Sequence, residues 1–257
     1  MNKTFKAALQ SISLVGLLFL TACVYNWANN TSNTPTSNQP NGAADIPATD
    51  KFTAASGCKN TGVLLPESDS SARYEAFDRP LLQQEIKKAL PGATIQYANA
   101  NNDADTQLHQ ADAMLTKKAC ILVVDPQDKK KAAVIVQKAK ANKVPVIAYD
   151  RLIQDPDVAY YVSFDNVRVG RLQGQYIVDQ FQEGAYGLKP GATLVIINGS
   201  QTDNNALQYR SGALKALQPL IDDKRLKLVS DQYIINWDKV RAQSLMQRIL
   251  TNEQNNI

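Results

Sequence analysis

The 257-residue chain carries 28 Lys+Arg against 24 Asp+Glu and is 44% hydrophobic and 20% charged. At ~100–200 residues per domain this is one or two domains with a sizeable core, not a disordered chain or a multi-span membrane protein. The formal charge of +4, with no basic run, argues against nucleic acid, and a single histidine (His109) with three cysteines argues against a Cys/His metal cluster. No cofactor is expected.

Residues 1–23 read as an address. Lys3 and Lys6 precede an apolar stretch over 12–20, followed by small residues, the pattern of a signal peptide too short to be a stable membrane span. Leu20-Thr21-Ala22-Cys23 resembles the bacterial lipobox, in which the cysteine thiol is acylated and the signal is cut before it; an ordinary secretory signal with a chance cysteine is the alternative. With more than one acyl chain, at ~0.8 kcal/mol per buried CH2, the anchor is stable. Residues 24–57, rich in Asn, Thr, Ser and Pro around NNTSNTPTSNQPNGAAD, read as a tether between lipid and folded domain.

From residue 62 short apolar runs alternate with amphipathic helical stretches. Strands are predicted over 62–65, 94–97, 120–124, 144–149 and 160–164, with helices over 74–90, 103–118 and 129–142 between them. Runs this apolar predict a parallel sheet buried on both faces, hence a doubly wound α/β lobe over 58–165. The pattern restarts with a helix over 167–181, a strand over 192–197, a helix over 204–217, a strand over 226–229 and a helix over 237–250. Two strands and three helices are little sheet for an independent core. The region 166–257 is therefore read as a partial second lobe in a chain shortened at its C-terminus.

Cys58 precedes the first strand and Cys120 opens the third, strands that neighbour one another in the usual doubly wound order. An exported chain permits a disulfide between them at the edge away from the ligand; two buried free thiols are the alternative.

Ligands of open parallel sheets bind beyond the carboxyl ends of the strands. In this chain those positions hold residues 67–74, Asp150 and Arg151, Asp165 and Asn166, residues 198–205 with Arg210 in the following helix, and Asn236 with Trp237. Carboxylates accept from hydroxyls, guanidiniums donate to them, and aromatic faces pack against the C–H face of a sugar ring. No phosphate-cradling glycine loop follows any strand. Each residue also has a plainer role available: Asp150 and Arg151 as a surface ion pair, Trp237 as core, Asp165 and Asp203 as helix caps.

Ser71-Ala72-Arg73-Tyr74, Ala148-Tyr149-Asp150-Arg151, Val162-Ser163-Phe164-Asp165-Asn166, Asn198-Gly199-Ser200 and Asp203-Asn204-Asn205 together resemble the xylose-binding branch of the periplasmic sugar-binding proteins, the substrate-binding components of ABC importers. The resemblance runs from about residue 62 to the end of the chain. It implies a two-lobed type I fold that closes on a monosaccharide. Arg73, Tyr74, Asp150 and Arg151 would serve from the first lobe, and Asp203, Asn205, Arg210 and Trp237 from the second. Tyr74 stands where close relatives often carry tryptophan, and the family's remaining second-lobe contacts fall beyond residue 257. The implied protein is a monomer, lipid-anchored on the extracytoplasmic face, that delivers sugar to an ABC permease. A sensing component of the same fold that feeds a chemoreceptor or sensor kinase is the alternative. A secreted glycosidase is disfavoured, because Arg151 beside Asp150 would hold that carboxyl ionised.

Overall fold

The computed structural model describes residues 57–253; the signal segment, Cys23, the tether through residue 56 and residues 254–257 lie outside them. The first lobe is a five-stranded sheet of β1 (Asn60–Leu65), β2 (Thr94–Asn99), β3 (Ile121–Val124), β4 (Val146–Tyr149) and β5 (Tyr160–Val162). All pairings are parallel and the order is β2-β1-β3-β4-β5. Side-chain alternation divides the core. Leu64, Leu122, Val124, Val146 and Ala148 point to one face, covered by α2 (Ala104–Thr116) and α3 (Ala133–Ala141). Val63, Leu65 and Val123 point to the other, against Tyr74 and the Leu82 and Ile86 side chains of α1 (Arg79–Ala89). Strand order reverses at β1, so the crevice between the ends of β1 and β3 is where a ligand site is expected.

In the second lobe β6 (Ala192–Asn198) and β7 (Leu226–Tyr233) form a two-stranded parallel sheet, with α4 (Asn166–Gln182), α5 (Asn204–Asp222) and α6 (Lys239–Asn252). Val178, Phe181, Leu217, Leu220 and Leu226 make its core. Helices α4 and α5 meet backbone to backbone: a Cβ on Gly170 would lie 2.0 Å from the Tyr209 carbonyl oxygen, and one on Gly212 2.0 Å from that of Val167. Only glycine fits at either position.

Cys58 and Cys120 are joined, with Cα atoms 5.6 Å apart, at the amino end of β1 and β3.

Besides a later start of α3 and a longer β7, four elements differ from their sequence-based prediction for reasons the structure shows. The helix predicted over 74–90 begins as a π-helical turn, Tyr74–Asp78, in which the Arg79 N–H reaches the Tyr74 carbonyl. Pro80, in the first turn of α1, has no N–H and its ring would crowd the carbonyl four residues back, so the wider turn relieves the clash. β5 is not buried on both faces: Tyr160, Tyr161 and Val162 are 51%, 41% and 56% exposed, as an edge strand allows. α5 runs past residue 217 to Asp222 although Pro219 lies inside it, because burial of Leu217 and Leu220, about 1.5–3 kcal/mol each, offsets the lost backbone bond. α6 starts at Lys239, not Trp237; Asp238 caps it, accepting from the Val240 and Arg241 N–H groups at 2.8 and 3.0 Å.

Candidate functional site

The carboxyl ends of β1, β3 and β4 bring Arg73, Asp125, Asp150 and Arg151 together. Arg73 donates from Nη2 to Asp150 Oδ2 at 2.5 Å, and its Nε lies 3.0 Å from Asp78. Asp150 therefore pairs with Arg73, not with its neighbour Arg151 as the sequence suggested. The reason is backbone: Asp150 has φ +60°, a left-handed turn that sends the two adjacent side chains apart.

Arg151 is buried and reaches further. Its Nη2 donates to the Tyr74 hydroxyl at 3.0 Å and its Nη1 to Gln127 Oε1 at 3.4 Å. Its Nε sits 3.1 Å from Asp203 Oδ2 in the second lobe and 3.7 Å from Asp125 Oδ1 in the first. Burial opposes its charge, but the surrounding carboxylates, among them Asp203 and Asp150, raise its pKa above the ordinary arginine value. Burial pushes the Tyr74 hydroxyl up in turn, so it stays a neutral acceptor.

Asp203 serves two roles at once. Oδ1 accepts from the Asn205 N–H at 2.8 Å and caps α5, while Oδ2 accepts from Trp237 Nε1 at 3.1 Å and faces Arg151. Capping and ligand-edge placement, alternatives in the sequence, hold together here. Asp165 does only the plainer job, accepting from the Arg168 N–H at the start of α4. Asn205 Nδ2 crosses the cleft to Asp150, donating to its carbonyl at 3.2 Å and to Oδ1 at 3.1 Å, and Asn205 Oδ1 accepts from Asn166 at 2.9 Å. Trp237 lies flat over Gly199, where a Cβ would sit 2.1 Å from the indole ring, so only glycine admits it. Asn236 and Trp237 both have φ +55°, a strained pair that turns the indole into the cleft.

These groups enclose a cavity of about 200 Å³ between the lobes. Arg73, Tyr74, Asp150 and Arg151 line it from the first lobe, and Asp203, Asn205 and Trp237 from the second. Its size is below the ~300–1,000 Å³ typical of drug-sized ligands and suits a small one. Seven of the eight sequence-predicted binding residues meet there. Arg210 does not: Asp231 on β7 holds its guanidinium, with Nε 2.8 and 2.9 Å from the two carboxylate oxygens, and it lines a neighbouring cavity beyond Tyr209 and Trp237. Its hydrogen bond holds the Asp231 carboxyl below the usual range. Participants that the sequence does not single out include Asp125 and Tyr209. Asp125 follows β3 directly, where the strand-end rule would have placed it, and Tyr209 precedes Arg210 on α5 and lines the cavity. Among the described residues no group of three or more His, Cys, Asp or Glu side chains is arranged to hold a metal ion.

The sequence profile of a family described as periplasmic binding protein domain matches residues 63–257. The chain is 36% identical over 173 residues to the D-xylose-binding periplasmic protein of Escherichia coli (strain K12), covering 67% of this chain and 50% of that protein. It is 36% identical over 206 residues to the D-xylose-binding periplasmic protein of Haemophilus influenzae, covering 80% and 59%. The chain thus spans between half and three-fifths of the length of these relatives. An ABC transporter solute binding protein from Clostridium phytofermentans, solved with bound β-D-glucose, superposes with a TM-score of 0.68 at 30% identity, covering 75% of this chain and 60% of that one.

Proposed function

This chain belongs to the periplasmic binding protein domain family, and on that premise we propose that it binds a monosaccharide between its two lobes. The observation that carries the reading is the cross-cleft arrangement in which Asp150 meets Asn205 and Arg151 meets Asp203 around a small cavity bounded by Tyr74, Tyr209 and Trp237. Charged donors and acceptors suit vicinal hydroxyls, and the rings supply an apolar face for the sugar's C–H groups. The ligand touches both lobes only when they are together, so it favours the closed arrangement. The names of the relatives favour xylose or a related sugar. The lipobox-like Leu20-Thr21-Ala22-Cys23 supports lipid anchoring on the extracytoplasmic face, and the likeness to an ABC transporter solute binding protein supports delivery of the sugar to an ABC permease. The relatives named are binding proteins, and the reading includes no catalytic step.

Thermal shift against xylose, ribose, arabinose, glucose and galactose tests it. One or more sugars should raise Tm in a concentration-dependent way; a panel without any shift counts against it.

A further inference from the structure

Asp125 stands at the end of β3, beside the crevice where strand order reverses. Its side chain is fully buried, and neither carboxylate oxygen has a hydrogen-bond partner. The nearest cationic atoms are Arg151 Nε at 3.7 Å and Arg73 Nη2 at 3.9 Å, both too far for a hydrogen bond. Its main chain is fixed: the Asp125 N–H donates to Leu64 and its carbonyl accepts from Gln107 on α2. Both guanidiniums are turned to other carboxylates, Arg73 to Asp150 and Arg151 to Asp203. An ionised carboxylate left this way would have only two guanidiniums beyond hydrogen-bond reach, both shared with other carboxylates, to offset its desolvation cost.

The groups that face Asp125 come from four segments. Arg73 and Tyr74 follow β1; Tyr149, Asp150 and Arg151 close β4; Tyr161 lies on β5; and Asp203 comes from the second lobe. Glu67 shares Arg151 from 3.9 Å and is itself satisfied by Ser70. Of these only Asp203 and Arg151 form a pair across the lobes. Moving the lobes apart would take Asp203 from Arg151 and leave Asp125 as the carboxylate closest to its Nε.

We propose that Asp125 is a positioning residue that couples lobe closure to the uptake of one proton: it is the counter-ion of Arg151 while the lobes are apart, and it is protonated from solvent when Asp203 takes that guanidinium over. The proposal rests on the closing, two-lobed reading of the site. Burial, which raises the Asp125 carboxyl well above its ordinary range here, and repulsion from Asp150 and Asp203 agree with it. The sign follows from linkage. The closed arrangement holds the extra proton, so closure is favoured at low pH and weakens as pH rises from the ordinary carboxylate range toward the value in the closed state. Within that window the closed-to-open ratio changes by up to ~10-fold per pH unit.

Spin labels on the full chain at Lys87→Cys in the first lobe and Lys224→Cys in the second, both exposed, report the interlobe distance with no sugar required. The closed distance should gain population as pH falls, and Asp125→Asn, a neutral isostere, should remove that dependence. Asp203→Asn, which deprives Arg151 of the exchanging partner, should flatten it as well and serves if Asp125→Asn does not fold. An interlobe distance that ignores pH, or one that responds equally with and without the Asp125 carboxyl, overturns the proposal. Repeating the series with xylose separates the two readings: a distance that never responds to sugar counts against sugar binding, while the pH arm judges Asp125 by itself.

Discussion

Arg151 of the first lobe and Asp203 of the second meet at 3.1 Å between Nε and Oδ2, both nearly inaccessible to solvent. Their contact joins the two lobes at the point where the cavity lies.

Replacing Arg151 with alanine leaves Asp203, rather than the neighbouring Asp150, without its cation. Breaking a buried pair from one side costs about 3–5 kcal/mol, so chemical denaturation should show a loss of that order. Sugar affinity should fall by one to two decades, matching ~1–3 kcal/mol for an unmet polar group. Arg168→Ala and Arg171→Ala, on the exposed face of α4, should change neither. Calorimetric titration and urea melts of the three variants decide this.

Gly199→Ala should push the Trp237 indole out of its place, since the added Cβ would overlap the ring at 2.1 Å. Overpacking of this kind costs roughly 1–3 kcal/mol. The expected result is a lower Tm together with weaker sugar binding. An unchanged affinity with a lowered Tm would mean that Trp237 serves the fold and not the ligand.

How much of this was legible in the sequence varies with the kind of signal. Strand positions in the first lobe were readable because Leu64, Leu122 and Val146 sit in unbroken apolar runs, the mark of burial on both faces. The same signal misled at Tyr160-Tyr161-Val162, because an apolar run does not say whether a strand is central or at the edge. The rule that ligands gather at strand ends found Arg73, Asp150 and Asp203. It did not find who pairs with whom, because pairing depends on the left-handed turn at Asp150 and on an approach between lobes that no local pattern encodes. Asp125 escapes that rule because Asp125-Pro126 after a strand reads as a stop signal. The position of Arg210 on α5 points to the cleft, whereas its partner Asp231 is set by the pairing of β6 with β7.

The bridge between Cys58 and Cys120 closes a loop of 62 residues. On the loop-entropy account this contributes about 4 kcal/mol. Cys58→Ser with Cys120→Ser should lower the denaturation free energy by that order. Sugar affinity should remain, as the bridge lies at the opposite edge of the sheet from the cleft. Two thiols titrating in the denatured, unreduced protein would show that the bridge does not form.

Acid should reveal the Arg210–Asp231 pair. The Asp231 carboxyl is held below the usual range by the Arg210 hydrogen bond, so its contribution is present above the unfolded value of ~3.9 and is lost as pH falls through the lower folded value. Denaturation melts at pH 7 and pH 3 should therefore show a smaller acid loss for Asp231→Asn than for the parent. Equal losses would place the pair outside the folded state's electrostatics.

Isothermal titration calorimetry with the monosaccharide panel tests the central claim most directly. The parent protein should show saturable one-to-one binding of at least one sugar, and Asp203→Ala and Arg151→Ala should each weaken it tenfold or more. A cooperatively folded parent that gives no binding heat or Tm shift with any monosaccharide, or variants at this pair that bind as the parent does, would contradict the claim that the ligand is a sugar held at the Arg151–Asp203 contact.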